Sequence, residues 1–470
     1  MRKTKIVCTI GPASQSEQML EKLCLAGMNV ARLNFSHGTY EEHKAKMDAI
    51  KRVRERLALP IAILLDTKGP EYRIKTFKNG KITLNDGDKF IFTSEDVEGD
   101  ESRVSVSYKN LPNELNEGDE ILLNNGLMAF RVEKIHGSEI ECTVTVGGEL
   151  SDKKSMSFPG KVLKQPYLSE QDKEDLLFGI ENSVDFIACS FVSTKQDLLD
   201  VKSFMHENGG DEIDLIAKIE NSSGVENIRE ILSVCDGIMI GRGDMGVEIP
   251  FEELPAIQKK LITECRLLGK SVITATEMLE SMITNTRPTR AEISDVANAV
   301  YDGTSAIMLS GETAVGKYPA LTVSTMSRIA EYTESVIKYG KRFINTEFQI
   351  KDTTDAISHA TCAMAMDLDA KAIVVCTVSG MTSRMVSRFR PPTNIIAVTT
   401  SERTWRKLSL SWGVMPAMIE EFVSTEVMFY HAVKIAKERL KLSPSDKIVI
   451  TGGTRNGVIG STNLVKVETI

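Results

Sequence analysis

DLIAKIE (Asp214–Glu220), GIMIGRG (Gly237–Gly243) and SVITATE (Ser271–Glu277) follow one another with a helix-compatible stretch between each pair. Each is a short, β-branched apolar run that stops abruptly on polar or charged residues. The unit recurs on both sides: KIVCTI (Lys5–Ile10), NVARLNF (Asn29–Phe35), IAILLD (Ile61–Asp66) and DFIACSF (Asp185–Phe191) precede it, and AIMLSGE (Ala306–Glu312) follows, eight runs in all. Near-continuous apolar strands alternating with helices imply parallel pairing with both faces covered, and eight of them imply closure into a (β/α)8 TIM barrel. Polar residues gather where these runs end: Arg32, Asn34 and Ser36; Asp66, Thr67 and Lys68; Lys218 and Glu220; Arg242 and Asp244; Thr276 and Glu277; Ser310 and Glu312. That end is the catalytic face of such a barrel.

Between the third and fourth runs the text changes. NGKITLNDGDKFIFT (Asn79–Thr93) and GDEILLNNGLMAFRVEKIHGSEIECTVTV (Gly118–Val146) are short alternating runs broken by Gly, Asn and Asp, the signature of antiparallel strands and tight turns. An inserted all-β domain over the barrel mouth, acting as a lid, is expected. After Tyr339 the runs KAIVVCTVSG, NIIAVTTSE, DKIVITGG and LVKVETI, separated by helical stretches, predict an open α/β domain. The expected division is a barrel over 1–69 and 168–339, an inserted all-β lid over 70–167, and a C-terminal α/β domain over 340–470.

Composition narrows the function classes. With 470 residues, 42% hydrophobic and 26% charged, the chain is long enough for several cores and needs no disorder. A net charge of -8 argues against a nucleic-acid binder, whose phosphate contacts need a basic face. The eight cysteines show no C-x-x-C pair, which suits reduced thiols in the cytoplasm. The opening MRKTKIVCTIGP is too short an apolar run for a signal peptide or a membrane span.

The rim residues predict chemistry. Glu220 and Asp244 are hard oxygen ligands suited to Mg²⁺ or Mn²⁺, and Lys218 sits beside them, a combination that fits a metal-assisted site for an anionic substrate. Gly243 would let a ligand approach the backbone. Arg32, Arg73 and Arg242 are candidate clamps for phosphate or carboxylate. Asn34, Ser36, Asp66 and Thr67 supply neutral oxygens plus one carboxylate, apt for a monovalent cation, although Asn and Ser also cap helices. TRPTRAE (Thr286–Glu292) runs into a helix carrying Asp295, with its basic residues structural or functional. TVSGMT (Thr377–Thr382), between a strand and a helix, reads either as a phosphate cradle or as a capped turn.

MNVARLNFSHG, ILLDTKGPE, AKIENSSG, GIMIGRGDMGVEIP, VITATEMLESM, RPTRAEISDVANAVYDGTSAIMLSGETAVGKYP and SRMVSRFRPP together resemble the pyruvate kinase family along essentially the whole chain. The resemblance implies phosphoryl transfer from phosphoenolpyruvate to ADP, giving pyruvate and ATP, in a bacterial-type enzyme that ends at Ile470 without an extra C-terminal domain. It implies Lys218 as the lysine meeting the phosphoryl group, Glu220 and Asp244 as divalent-metal ligands, and Arg32 and Arg73 as phosphate contacts. It also implies Gly243 and Asp244 at the substrate carboxylate, Thr276 near the enolate, and a proton arriving through Thr276 or by water near Ser310 and Glu312. Asn34, His37, Arg73 and Lys154 match nucleotide-binding positions, and Asn34, Ser36, Asp66 and Thr67 match the K⁺ site. Glu71, where some relatives carry lysine, implies K⁺ dependence. Thr377, Ser379, Gly380 and Thr382, with Gly457 and Gly460 on a second loop, match the site of a phosphorylated effector, with fructose 1,6-bisphosphate, ribose 5-phosphate and AMP all open. A cytoplasmic homotetramer is implied. The chain departs from the family at Glu277 (usually Gln), at Tyr72 (usually Ile), at Asn124-Asn125 (usually acidic), at Met381, and in the loose motif around Lys154.

Overall fold

The computed structural model describes residues 2–346, 348–421, 424–453 and 462–470. Eight parallel strands close into a barrel: β1 Lys5–Thr9, β2 Val30–Asn34, β3 Ala62–Asp66, β4 Phe186–Cys189, β5 Asp214–Ile219, β6 Gly237–Gly241, β7 Ser271–Ala275 and β8 Ala306–Leu309. These are the eight runs singled out in the sequence. Successive side chains alternate between two apolar layers. In β1, Ile6 and Cys8 pack outward under the helices, while Val7 points inward with Val30, Leu64, Ile216, Met239 and Met308 to fill the barrel. β6 is shorter than expected. It ends at Gly241, and the chain turns at once into the helix Arg242–Glu248, so Asp244 stands in a first helical turn instead of at a strand end.

Between β3 and β4 lies a separate apolar core built on a seven-stranded sheet and a two-stranded ribbon. Most pairs are antiparallel, as the alternating text predicts, but Lys89–Thr93 and Arg103–Ser105 pair in parallel. The C-terminal sheet has five strands in the order Val414–Met418, Asn394–Thr399, Ala372–Cys376, Lys447–Gly453, Thr462–Thr469, only the last antiparallel. Val414–Met418 is the strand missed in the sequence. Pro416 interrupts it, which a sheet tolerates at an edge, where this strand lies.

This sheet docks on the N-terminal end of the barrel. Arg406 pairs with Asp185 at 2.8 Å, Lys407 with Asp214 at 2.6 Å, and Lys5 Nζ donates to the Val414 carbonyl at 2.7 Å. Leu410 plugs the barrel floor. The opposite end is left to the inserted domain. All eight cysteines are buried and unpaired. Among the described residues no helix is long and apolar enough to cross a membrane.

Candidate active site

Closure of the barrel brings the ends of β2, β3, β4 and β5 around one buried carboxylate, Asp66. Its Oδ2 accepts from Arg32 Nε at 2.6 Å, and its Oδ1 lies 3.1 Å from Lys218 Nζ and accepts from Ser190 Oγ at 3.3 Å. Arg32 Nη1 donates to Thr9 Oγ1 at 2.8 Å, which fixes the plane of the guanidinium. Burial alone would raise the Asp66 carboxyl, but Arg32 and Lys218 outweigh it and hold its pKa below the usual range. Lys218 also lies 3.1 Å from Glu220 Oε1 and donates to Ser190 Oγ at 2.6 Å. Burial works against this ammonium, yet Asp66 and Glu220 keep its pKa above that of an ordinary lysine.

Glu220 is buried, and its second oxygen accepts from the Phe191 amide at 2.9 Å. Burial pushes its carboxyl up to about 7 despite Lys218, and the Asp244 charge adds to the rise. The Asp244 carboxyl is likewise raised, first by burial. Glu220 and Asp244 are neighbouring carboxylates, and the ammonium beside them is shared with Asp66, so they lack a full countercharge that a divalent cation would supply. Among the described residues no three or more His, Cys, Asp or Glu converge as a metal cage. Two carboxylates with positions left for other oxygens suit Mg²⁺. The glycine this geometry requires is Gly241, where a Cβ would lie 2.6 Å from Glu220 Cγ. At Gly243 a Cβ would meet nothing closer than 3.6 Å, and its amide is already taken by Thr276 Oγ1 at 2.9 Å.

Thr276 and Glu277 both have left-handed backbones, φ 67° and 55°, an uncommon choice for non-glycine residues that costs about 1–3 kcal/mol each. Arg242 holds them there. Its guanidinium reaches the carbonyls of Ala275 at 3.2 Å and Thr276 at 2.5 Å and pairs with Asp295 at 2.7 Å, so this arginine braces the loop and is not turned to a ligand. The same contact gives Asp295 its role. Glu277 is exposed. Glu312 is buried, and both oxygens accept backbone amides, from Leu279 at 3.0 Å and Ser310 at 2.7 Å. It therefore ties the end of β8 to the loop after β7, with Ser310 at the junction.

Asn34 and Asp66 are direct register partners across β2 and β3, with Thr67 next in line. Asn34 Oδ1 accepts from the Ser36 amide at 3.2 Å, and Thr67 Oγ1 from the Ser190 amide at 3.3 Å. Asp66 accepts from Arg32 and Lys218 and keeps lone-pair directions over, so this set of oxygens fits a monovalent cation. His37 is exposed just beyond it.

A cleft of about 250 Å³ separates the mouth from the inserted domain, with Glu220, Asn221 and Asp244 on one wall and Arg73, Asn125 and Ser155 on the other. Arg73 is held by Glu71 at 2.8 Å and donates to the Lys153 carbonyl at 2.7 Å, one residue from half-buried Lys154. Tyr72 lines the cleft, but its ring packs on Tyr108 and Phe158, both at 5.5 Å. Asn124 and Asn125 adopt φ 53° and 58°, the left-handed region where asparagine is favoured over most side chains. That turn reaches the barrel, since a Cβ on Gly126 would lie 3.4 Å from Val247 Cγ1. In the C-terminal domain, Thr377 Oγ1 accepts the Gly380 amide at 2.9 Å, Ser379 Oγ accepts the Met381 amide at 3.5 Å, and Thr382 Oγ1 bonds Thr462 Oγ1 at 2.6 Å. Gly457 and Gly460 lie outside the described residues.

Residues 1–323 match the pyruvate kinase barrel-domain family model and 355–468 the pyruvate kinase alpha/beta-domain model. The chain belongs to the pyruvate kinase family. It is 49% identical to a pyruvate kinase of Staphylococcus epidermidis and 48% identical to one of Staphylococcus aureus, in each case over 100% of this chain and 81% of the relative. A crystal structure of a pyruvate kinase from Cryptosporidium parvum superposes with a TM-score of 0.95 at 36% identity, over 100% of this chain and 96% of that one. As a pyruvate kinase, the protein is a phosphotransferase whose substrates and products are phosphoenolpyruvate, ADP, ATP and pyruvate.

Ser190 is the residue of this pyruvate kinase site that sequence reading passed over. It receives Lys218, donates to the Thr67 carbonyl at 2.6 Å, and touches Asp66, so one hydroxyl sets the ammonium between its two carboxylates. The only signal was a lone hydroxyl at the end of DFIACSF, indistinguishable there from a turn residue. Ser190→Ala is expected to lower kcat about tenfold with little change in KM, the scale of one hydrogen bond to a charged group. Partial recovery in Ser190→Thr would separate this from general misfolding, and an unchanged kcat would remove the role.

Proposed function

We propose that Lys218 carries the positive charge that meets the phosphoryl group as it passes from phosphoenolpyruvate to ADP. The observation that supports this most directly is the buried ammonium held 3.1 Å from both Asp66 and Glu220, next to Glu220 and Asp244 that line the cleft. A loose phosphoryl transition state spreads charge over its equatorial oxygens and needs placed positive charge more than covalent help. Arg32, braced by Asp66 and Thr9, is placed to bind the phosphate, and Arg73 to reach it once Glu71 lets go. Glu220 and Asp244 would hold Mg²⁺ or Mn²⁺, which when bound would supply positive charge against the phosphate oxygens. Asn34, Ser36, Asp66 and Thr67 would hold K⁺. Gly243 and Asp244 head the short helix that would face the substrate carboxylate, and His37 and Lys154 flank the nucleotide's approach.

For the enolate, Thr276 or water at Ser310 supplies the proton, and Glu312, with both oxygens engaged, acts by positioning them. The division at 1–69 with 168–339, 70–167 and 340–470 belongs to this proposal, as do a cytoplasmic homotetramer and a phosphorylated effector at Thr377, Ser379, Gly380 and Thr382.

A coupled assay with phosphoenolpyruvate, ADP, Mg²⁺ and K⁺ tests the reading: pyruvate and ATP in equal amounts are expected, and their absence would reject it. Replacing K⁺ by tetramethylammonium at constant ionic strength should cut turnover at least about tenfold, the scale of one lost charge contact. Full turnover without K⁺ would remove the monovalent site from the account.

A further inference from the structure

Far from the active site, the barrel helix Leu254–Leu268 meets the C-terminal helix Met381–Arg388, and Arg388 Nη1 donates to the Leu267 carbonyl at 3.1 Å across the seam. A cavity of about 10 Å³ lies there, room for the centre of one water-sized particle. Arg266, Lys270, Arg384, Arg388 and Arg390 line it together with four serines, and no carboxylate does. Among the described residues, Arg388 is the one member with a carboxylate ion pair, to Asp355 at 3.0 Å.

Arg390 is buried, 6% exposed, yet its partners are all neutral. Nη1 donates to the Ser387 carbonyl at 2.8 Å and Nη2 to the Gly303 carbonyl at 3.1 Å, while the guanidinium lies 4.7 Å from the Trp412 ring. The Nε atoms of Arg266, Arg388 and Arg390 are each buried without a hydrogen-bond partner. Burial, with Arg266 adding to it, pulls the Arg390 pKa down to about 9, so the group still carries its charge at neutral pH. Water can satisfy an N–H but leaves that charge uncompensated, and a buried cation without a counterion is costly.

We propose that this seam binds one small inorganic anion, of the size and charge of chloride, between Arg390 and Arg266. Its occupancy ties the barrel to the helix that begins at the loop Thr377–Thr382, so the junction between the two domains is firmer in chloride than in a bulky anion.

Crystals grown with about 0.1 M potassium bromide, enough to fill a millimolar site, should show an anomalous peak within hydrogen-bond reach of Arg390. In solution, potassium chloride should raise Tm by about 1–3 °C over potassium gluconate of equal ionic strength, in a saturable way. Arg390→Gln should abolish that difference. A site holding only water, a bromide peak without a saturable shift in solution, or an equal chloride shift in Arg390→Gln would each overturn the proposal. Should Arg390→Gln fail to fold, the bromide peak and the saturable shift in the unaltered chain decide it.

Discussion

Lys218→Met should lower kcat by about 10³-fold or more while divalent-cation binding largely survives. Methionine fills the space of the lysine stem but places no charge where the phosphoryl group passes. The substitution also strands Asp66 and Glu220, which share the ammonium in a buried setting, and removing one partner of such a group costs about 3–5 kcal/mol. Part of that cost is relieved because Glu220, already pushed up to about 7, can take a proton. The variant should therefore show a lowered Tm without metal and a larger gain on adding Mg²⁺ than the unaltered chain. Steady-state kinetics and thermal melts with and without Mg²⁺ read both effects. A loss of turnover below tenfold would show that the charge on Lys218 is not what lowers the barrier.

Glu220→Gln should weaken divalent binding by about 10²-fold or more, since even partners behind a metal ligand are worth about 10–100-fold. The amide keeps the volume and can still accept the Phe191 N–H, so the loop after β4 should hold its shape. What changes is charge. Lys218 loses one of its two carboxylates, so its pKa should fall toward the ordinary lysine value. Turnover is expected to drop about 10²–10³-fold and to recover only in part at high Mg²⁺. Metal affinity by calorimetry is the deciding measurement, and an unchanged affinity would take Glu220 out of the metal site.

The eight strands were legible because a strand buried on both faces has no alternative to a continuous apolar run. The rim residues were legible for a related reason: Lys218, Glu220 and Asp66 interrupt or end such runs, and a charge in that position needs a purpose. The strand Val414–Met418 was not legible, because an edge strand makes fewer demands on its sequence and tolerates Pro416. The strand β6 stops two residues short of the expected Gly243 because the helix Arg242–Glu248 starts directly after Gly241 with no side-chain cap to mark it.

The sequence by itself determined where the eight barrel strands run, that they pair in parallel, and which end of them carries charge. Those properties follow from local alternation of apolar and polar side chains. Tertiary structure alone decided what each charge faces. Arg32 and Arg242 look alike as arginines at strand ends, yet one is braced on Asp66 next to Lys218 and the other is turned onto Asp295 and the Thr276 backbone. Ser190 acquired its place between Lys218 and Asp66 only when β4 closed between β3 and β5. Partners on different strands are chosen by register and closure, and the period along any one strand carries no record of them.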